Sequence, residues 1–310
     1  MAAKTIIITG ASRGIGLAIA KYLLTAPQAH NVVVVARSVE PLQKLKEQYS
    51  KQVEVVNGDL ADFSLAQKAV DAAIKSFGQL DGVVLNHGIL GQVGKIAAAD
   101  VDQWKKDFDV NFFSLVAFTK AALPALRESK GKIIFTSSGA AVSGYRGWGL
   151  YGATKAAMNH FAMSLGNEEP DVTSIAIRPG MVDTEMQREL REDHATNLDA
   201  EMHSKFAGAH KDGKLVKPEQ PGHVMAKLVL DAPKDLSGRF FSYVIQLYEN
   251  SDGANATQVE RQGARCFPGI NLNCSFLKIK FKLCGLKTCK AISIECHKRA
   301  MGAKSRADEM

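Results

Sequence analysis

The first 265 residues contain no cysteine, and all five cysteines of the chain (Cys266, Cys274, Cys284, Cys289 and Cys296) fall in its last 45 residues. A disulfide framework is thereby excluded for the body of the protein, and a reducing compartment is expected. None of the cysteines pairs as Cys-x-x-Cys and their spacing fits no zinc pattern, so no metal is expected. Long apolar runs are also missing. Nothing approaches the ~18 residues that cross a bilayer. Thr5–Thr9, near the N-terminus, is too short for a secretory core and reads as a strand. The expectation is a cytoplasmic protein with no membrane partner. Nor does the body carry an excess of positive charge. The chain's net charge is +7, but residues 251–310 hold 11 basic and 5 acidic residues, leaving 28 and 27 in residues 1–250. No nucleic-acid partner is expected for the body.

Strand-like and helix-like stretches alternate through the first 244 residues. Thr5–Thr9, Asn31–Ala36, Gln52–Asn57, Gly82–Asn86, Lys132–Ser137 and Val172–Arg178 are short, apolar and rich in Val and Ile. Gly238–Val244 reads as a seventh strand. The lack of apolar–polar alternation is the mark of strands covered on both faces. Helical periods lie between them; Trp104, Phe108, Phe112 and Leu115 mark one face of a long helix from about Asp100 to Arg127. This βαβ alternation predicts an α/β fold, a doubly wound parallel sheet of about seven strands of Rossmann type. Ligands of such sheets bind beyond the carboxyl ends of the strands.

Thr9-Gly-Ala-Ser-Arg-Gly-Ile-Gly16 joins the first strand to the first helix. Gly10, Gly14 and Gly16 permit a tight turn and a close approach of backbone to phosphate, and the helix N-terminus offers N–H groups to a pyrophosphate. The second strand ends Ala36-Arg37, without the carboxylate that holds a ribose 2′-hydroxyl. Arg37, with Arg13 from the glycine turn, favours a 2′-phosphate and hence NADPH. Asp59 reads either as an acceptor for an adenine amine or as a turn residue, and Asp62 as a helix N-cap. His87, in Asn86-His-Gly88, is expected to offer mainly its backbone.

Tyr151 and Lys155 stand four apart, on one face of a helix. A phenol has a reference pKa of about 10, and a nearby ammonium lowers it. The pair suits proton exchange with a carbonyl or an alcohol oxygen. Ser138 ends the fifth strand, and the Gly- and Ala-rich stretch 139–150 brings it back beside the tyrosine, where a hydroxyl fixes a carbonyl. No Gly-x-Ser-x-Gly supports a serine nucleophile. Asn111, on the inward side of its helix, either shapes the site or satisfies local backbone. Tyr145 and Trp148 line a pocket or simply pack. Pro179-Gly180 turns the chain after the sixth strand, placing Val182 and Thr184 where a nicotinamide carboxamide would lie. Glu185–Lys214 is polar and reads as a mobile cover with helical pieces, and a last helix runs from Pro218 to Leu230.

Taken in this order, these motifs resemble the short-chain dehydrogenase/reductase family in its compact form, as far as about residue 248. The resemblance implies a tetrad of Asn111, Ser138, Tyr151 and Lys155. Tyr151 is then the acid in reduction, Ser138 orients the carbonyl, Lys155 binds the nicotinamide ribose and lowers the tyrosine pKa, and Asn111 holds a relay water. It implies NADP(H) bound by Gly10, Ser12, Arg13, Gly14, Ile15, Gly16, Arg37, Asp59, Leu60, Asn86, Gly88, Asn111, Tyr151, Lys155, Pro179, Val182 and Thr184. It further implies a small-molecule carbonyl substrate and a homodimer or homotetramer. Ala36-Arg-Ser, Trp104-Lys-Lys, Asn111-Phe-Phe-Ser and Asn159-His-Phe-Ala-Met are similar to benzil reductases and sepiapterin-reductase-like enzymes. An NADPH-dependent carbonyl reductase is the expected function. Alcohol oxidation by the same residues and a non-catalytic NADP sensor are the alternatives. His87 departs from the Asn-Ala-Gly usual in the family. Residues 1–250 are expected to form the single domain. The basic, cysteine-containing 251–310 is expected to be a poorly ordered extension or an artefact of gene prediction, with a partner- or membrane-binding tail as the rival.

Overall fold

In the computed structural model, residues 2–25, 27, 29–243, 247–249 and 255–257 are described. Seven parallel strands form one sheet in the order β3-β2-β1-β4-β5-β6-β7. They are β1 (Thr5–Thr9), β2 (Asn31–Ala36), β3 (Val53–Asn57), β4 (Gly82–Leu85), β5 (Lys132–Thr136), β6 (Thr173–Arg178) and β7 (Arg239–Ser242). Each matches an expected strand to within two residues; Val244, the last residue expected in β7, lies outside the described residues. The continuous apolar runs have a direct cause. Along β1 and β2, Ile6, Ile8, Val32 and Val34 enter one core with α1 (Gly14–Thr25), while Ile7, Val33 and Val35 enter a second core with α3 (Ser64–Phe77). Both faces are covered, so no position along the strand is left for a polar residue. Each such side chain taken from water contributes about 1.5–3 kcal/mol.

The order changes direction at β1, which pairs with β2 on one side and β4 on the other. The chain ends leaving β1 and β4 therefore diverge and open a crevice at the carboxyl edge. The second core is closed by α5 (Ser114–Ser129) and α6 (Gly149–Glu168), and the first by α2 (Val39–Gln48) and α9 (Glu219–Asp231).

The long helix expected from Asp100 to Arg127 is interrupted. Asp100 caps α4 (Val101–Phe108) by accepting the N–H groups of Asp102 and Gln103 at 3.0 and 3.1 Å. A π turn, Asp109–Phe113, then widens the helix before α5 begins. Such wide turns gather at functional sites, and this one carries Asn111. Asp62 stands one residue before the cap position of α3, where its carboxylate accepts both the N–H and the hydroxyl of Ser64. The stretch 185–214 holds two helices, α7 (Glu185–Arg191) and α8 (Ala200–Lys211). An antiparallel ribbon pairs β8 (Leu247–Glu249) with β9 (Asn255–Thr257). It spans the boundary expected at 250, and most of the expected extension lies outside the described residues. No helix among the described residues is long and apolar enough to cross a membrane.

Candidate active site

At the carboxyl edge of the sheet lies a cleft of about 430 Å³. Sixteen of the expected site residues border it: Gly10, Ser12, Arg13, Gly14, Ile15, Arg37, Asp59, Leu60, Asn86, Gly88, Ser138, Tyr151, Lys155, Pro179, Val182 and Thr184. Gly16 and Asn111 do not; both sit immediately behind its wall.

The glycine turn is shaped by backbone alone. Gly10 and Gly14 have φ of +66° and +55°, where side chains are strained. A Cβ on Gly10 would stand 3.0 Å from the His87 Cα. A Cβ on Gly16 would collide with the Gly10 carbonyl and stand 2.7 Å from the Asn86 amide nitrogen. The third glycine therefore lets α1 close onto the turn, which is how the turn stays open towards the cleft. This cradle fits a dinucleotide: bare of side chains at Gly10 and Gly14, and ended by the N-terminus of α1.

At the far end of the turn, Arg37 is exposed after β2, and no carboxylate faces it from that strand end. The Asn57 amide donates to the carbonyls of Ala36 and Arg37 at 3.0 and 2.7 Å and fixes this loop. Arg13 is exposed and 4.0 Å from Glu189 on α7, a separation at which an ion pair contributes little. Of the two readings of Asp59, the turn role is realised: its carboxylate accepts the Ala61 N–H at 3.0 Å while the residue still borders the cleft.

Tyr151 and Lys155 are one turn apart on α6, and both are buried. The Lys155 Nζ donates to the Thr136 carbonyl at 2.7 Å and stands 5.7 Å from the centre of the Tyr151 ring. Ser138, two residues beyond β5, faces the Tyr151 hydroxyl closely enough to lower its pKa. Its oxygen also accepts the Ala140 N–H at 3.2 Å. The loop thus returns the serine to the tyrosine as expected.

The expected electrostatics are not found. Burial pushes the Tyr151 phenol up to about 12, with the Ser138 hydrogen bond pulling the other way. Burial draws Lys155 down to about 7. Desolvation disfavours whichever form is charged, and here it is the largest influence on both groups. The phenol is therefore held protonated at neutral pH.

Asn111 is wholly buried, and its amide makes a two-point pair with the Ile89 backbone: the side-chain oxygen accepts the N–H and the side-chain nitrogen donates to the carbonyl, each at 2.8 Å. A Cβ on Gly88 would lie 3.4 Å from both the Asn111 oxygen and the Lys155 Nζ. Asn111 fixes the strand-end loop on which Gly88 presents its bare backbone to the cleft.

His87 does more than the backbone role expected of it. Its Nδ1 is 2.7 Å from the Thr9 hydroxyl, and its Nε2 lies 2.7 Å from the Ser114 hydroxyl and 3.1 Å from the Val110 carbonyl. Ser114 donates its one hydrogen to Val110. With Nε2–H donating to the Val110 carbonyl, Nδ1 is left to accept from the Thr9 hydroxyl at 2.7 Å. That is the shorter of the hydroxyl's two options, its other acceptor being the Val84 carbonyl at 3.3 Å. Burial first, and the Lys155 charge second, lower its pKa to about 3, so it is neutral. One side chain thereby ties the ends of β1 and β4 to the π turn. A histidine in place of the small residue was the only signal of this in the sequence.

The apolar wall of the cleft was not foreseen in full. Met186 and Leu190 of α7, and Met202 and Phe206 of α8, border it at spacings of four. That helical period was present within the polar stretch. Trp148 stacks on Phe206 with ring centres 5.6 Å apart and planes at 6°, and meets Tyr151 edge-on at 5.8 Å. Among the described residues, no group of three or more His, Cys, Asp or Glu is placed to hold a metal.

The chain is similar to known proteins over most of its length. A family model described as short chain dehydrogenase matches residues 4–195. An (S)-benzoin-forming benzil reductase of Saccharomyces cerevisiae is 40% identical over 251 residues, spanning 77% of this chain and 95% of the relative. The crystal structure of a short chain dehydrogenase/reductase from the same yeast is similar with a TM-score of 0.77 at 41% identity, covering 78% of this chain and 97% of that one. The crystal structure of L-sorbose reductase from Gluconobacter frateurii, complexed with NADPH and L-sorbose, is similar with a TM-score of 0.67 at 25% identity, covering 78% and 95%.

Proposed function

The chain belongs to the short-chain dehydrogenase family, and from that premise we propose that it is an NADPH-dependent carbonyl reductase acting on ketones or diketones. The observation that carries the reading is half-buried Ser138 facing buried Tyr151, with buried Lys155 one turn on, in the cleft that the glycine cradle borders. NADPH, when bound, supplies the hydride. In this reading Gly10, Ser12, Gly14 and Ile15 hold the pyrophosphate, and Arg13 and Arg37 the 2′-phosphate. Asp59 and Leu60 flank the adenine, and Asn86, Gly88, Pro179, Val182 and Thr184 border the nicotinamide half. The NADPH complex of L-sorbose reductase supports the same choice of cofactor.

Ser138 orients the substrate carbonyl by its hydroxyl, and Tyr151 gives its proton to the oxygen. At neutral pH the phenol carries its proton, the form that can donate to a carbonyl oxygen; the direction of turnover is set by the cofactor pools. Lys155 holds the ribose and replaces the proton on Tyr151. Asn111 keeps the Gly88 wall in place and, through the wide backbone turn it stands on, the water that feeds the relay. The apolar wall of α7 and α8 keeps bulk water from the reacting carbon.

A second copy of the chain is the expected partner. Val101 on α4 and Phe113 on the π turn are 65% and 47% exposed and border one shallow surface hollow with Trp104 and Phe108, and an exposed apolar patch of this kind suits an interface.

The test is oxidation of NADPH against NADH with a panel of ketones and diketones, run beside Tyr151→Phe. The variant should bind NADPH and lose roughly a hundredfold or more in kcat. A variant with unimpaired turnover would remove Tyr151 as the acid.

A further inference from the structure

The charges that border the cleft do not balance. Among the described residues its carboxylates are Asp59 and Glu185. Asp59 stands two residues beyond β3, at the adenine end of the cleft in the reading above, and Glu185 is occupied by the Arg188 guanidinium at 2.7 Å. Of the cations, Arg13 and Arg37 are assigned to the 2′-phosphate, and Lys155 is bonded to the Thr136 carbonyl. Arg178 and Lys205 remain. Both are exposed, and the side chain of neither has a hydrogen bond or ion pair among the described residues.

Arg178 ends β6, beside the end of β5. Its guanidinium lies against Gly139, where a Cβ would stand 3.0 Å from Nε and 3.1 Å from Cζ. Glycine at this position leaves that space to the cation, since a side chain would push it off. Gly139 follows Ser138 and also borders the cleft. A permanently charged fork of N–H donors therefore stands beside the residue after the hydroxyl that faces Tyr151. Lys205 is on α8, next to the Phe206 that stacks on Trp148. Positive charge without a free carboxylate thus lies at the half of the cleft that Ser138 and Tyr151 occupy, where the apolar wall concentrates its field.

We propose that Arg178 is the anion-binding residue of the substrate site, which fits the cleft to ketones that carry a carboxylate, with Lys205 strengthening the same field. The inference rests on the carbonyl-reductase reading. The ketone oxygen sits on Ser138 and Tyr151, and the carboxylate of the same molecule accepts two parallel N–H bonds from the Arg178 fork. Held at two points, the carbon skeleton presents one face of the ketone to the hydride.

The probes are phenylglyoxylate and 3-benzoylpropionate, each beside its methyl ester, which keeps the skeleton and removes the charge. The two acids place the carboxylate at short and at longer reach from the ketone. The measured quantity is the ratio of kcat/KM for acid to that for ester, with NADPH, in which losses common to both cancel. The wild type should favour at least one acid over its ester. For that acid, Arg178→Gln should lower the ratio roughly tenfold or more, the worth of a charge-assisted bond. Arg178→Lys should restore only part of it, because an ammonium is a point charge and not a fork. Since Arg178 is exposed, the wild-type ratio should also fall as salt is raised. NADPH affinity, read by fluorescence titration, should be the same in the wild type and Arg178→Gln. A ratio within about twofold of the wild type in Arg178→Gln would overturn the assignment. Weakened NADPH binding in that variant would also overturn it, by giving Arg178 to the cofactor. A wild type that reduced the esters and refused both acids would overturn it and leave the reductase reading standing. A wild type that reduced none of the probes would remove that reading, and this inference with it.

Discussion

His87→Gln is the substitution that most directly tests the electrostatics of this site. His87 titrates at about 3 when folded, against an ordinary value of 6.5. Between these values the unfolded chain binds a proton that the folded protein does not. Stability therefore rises with pH across the window: the contribution of a neutral, buried His87 is complete above 6.5 and is lost progressively as pH falls towards 3. From about pH 7.5 to about pH 5 the expected loss is about 2 kcal/mol, obtained by integrating one proton over the part of the window crossed. Glutamine cannot titrate, so its protein lacks this term, and groups common to both proteins cancel in the difference. At about pH 7.5 the variant should be less stable by about 1–3 kcal/mol, since the Thr9 and Ser114 hydroxyls lose their shared partner. By about pH 5 the gap should close by about 2 kcal/mol. The assay is urea unfolding of both proteins at the two pH values, and His87→Asn serves as a second non-titrating variant. A gap between wild type and variant that does not change with pH would refute a neutral, desolvated imidazole at the hub.

Gly16→Ala places a Cβ against the Gly10 carbonyl; because backbone cannot yield cheaply, it should cost about 1–3 kcal/mol in thermal or urea unfolding and weaken NADPH binding by fluorescence titration. Arg13→Ala and Arg37→Ala should each lower the preference for NADPH over NADH by roughly tenfold or more in kcat/KM, with NADH kinetics little changed, since charge-assisted bonds to the 2′-phosphate are worth about 1.5–3 kcal/mol. Phe113→Asp, on the exposed apolar face of the π turn, should shift sedimentation towards monomer. A chain ended after Thr257, which keeps the β8–β9 ribbon, should retain its melting temperature and turnover; loss of either would give residues beyond it a role in the domain.

The alternation of apolar strands and periodic helices already determined the doubly wound sheet, because strands buried on both faces leave few polar positions and β1, β2, β4 and β5 carry none between their end residues. The order of short motifs from Gly10 to Thr184 likewise marked the family and most of the cleft, since glycine turns and the Tyr151–Lys155 spacing are local features that need no distant partner. Burial was what the sequence left undecided. Spacing placed an ammonium near a phenol and led to an expected fall in the tyrosine pKa, yet desolvation, a property of everything packed around the pair, raised it. The same holds for His87, whose partners Thr9 and Ser114 stand 78 and 27 positions away. It holds also for Gly16 and Asn111, which support the wall instead of forming it. A titrating group is shifted only when the folded chain has closed over it and excluded water.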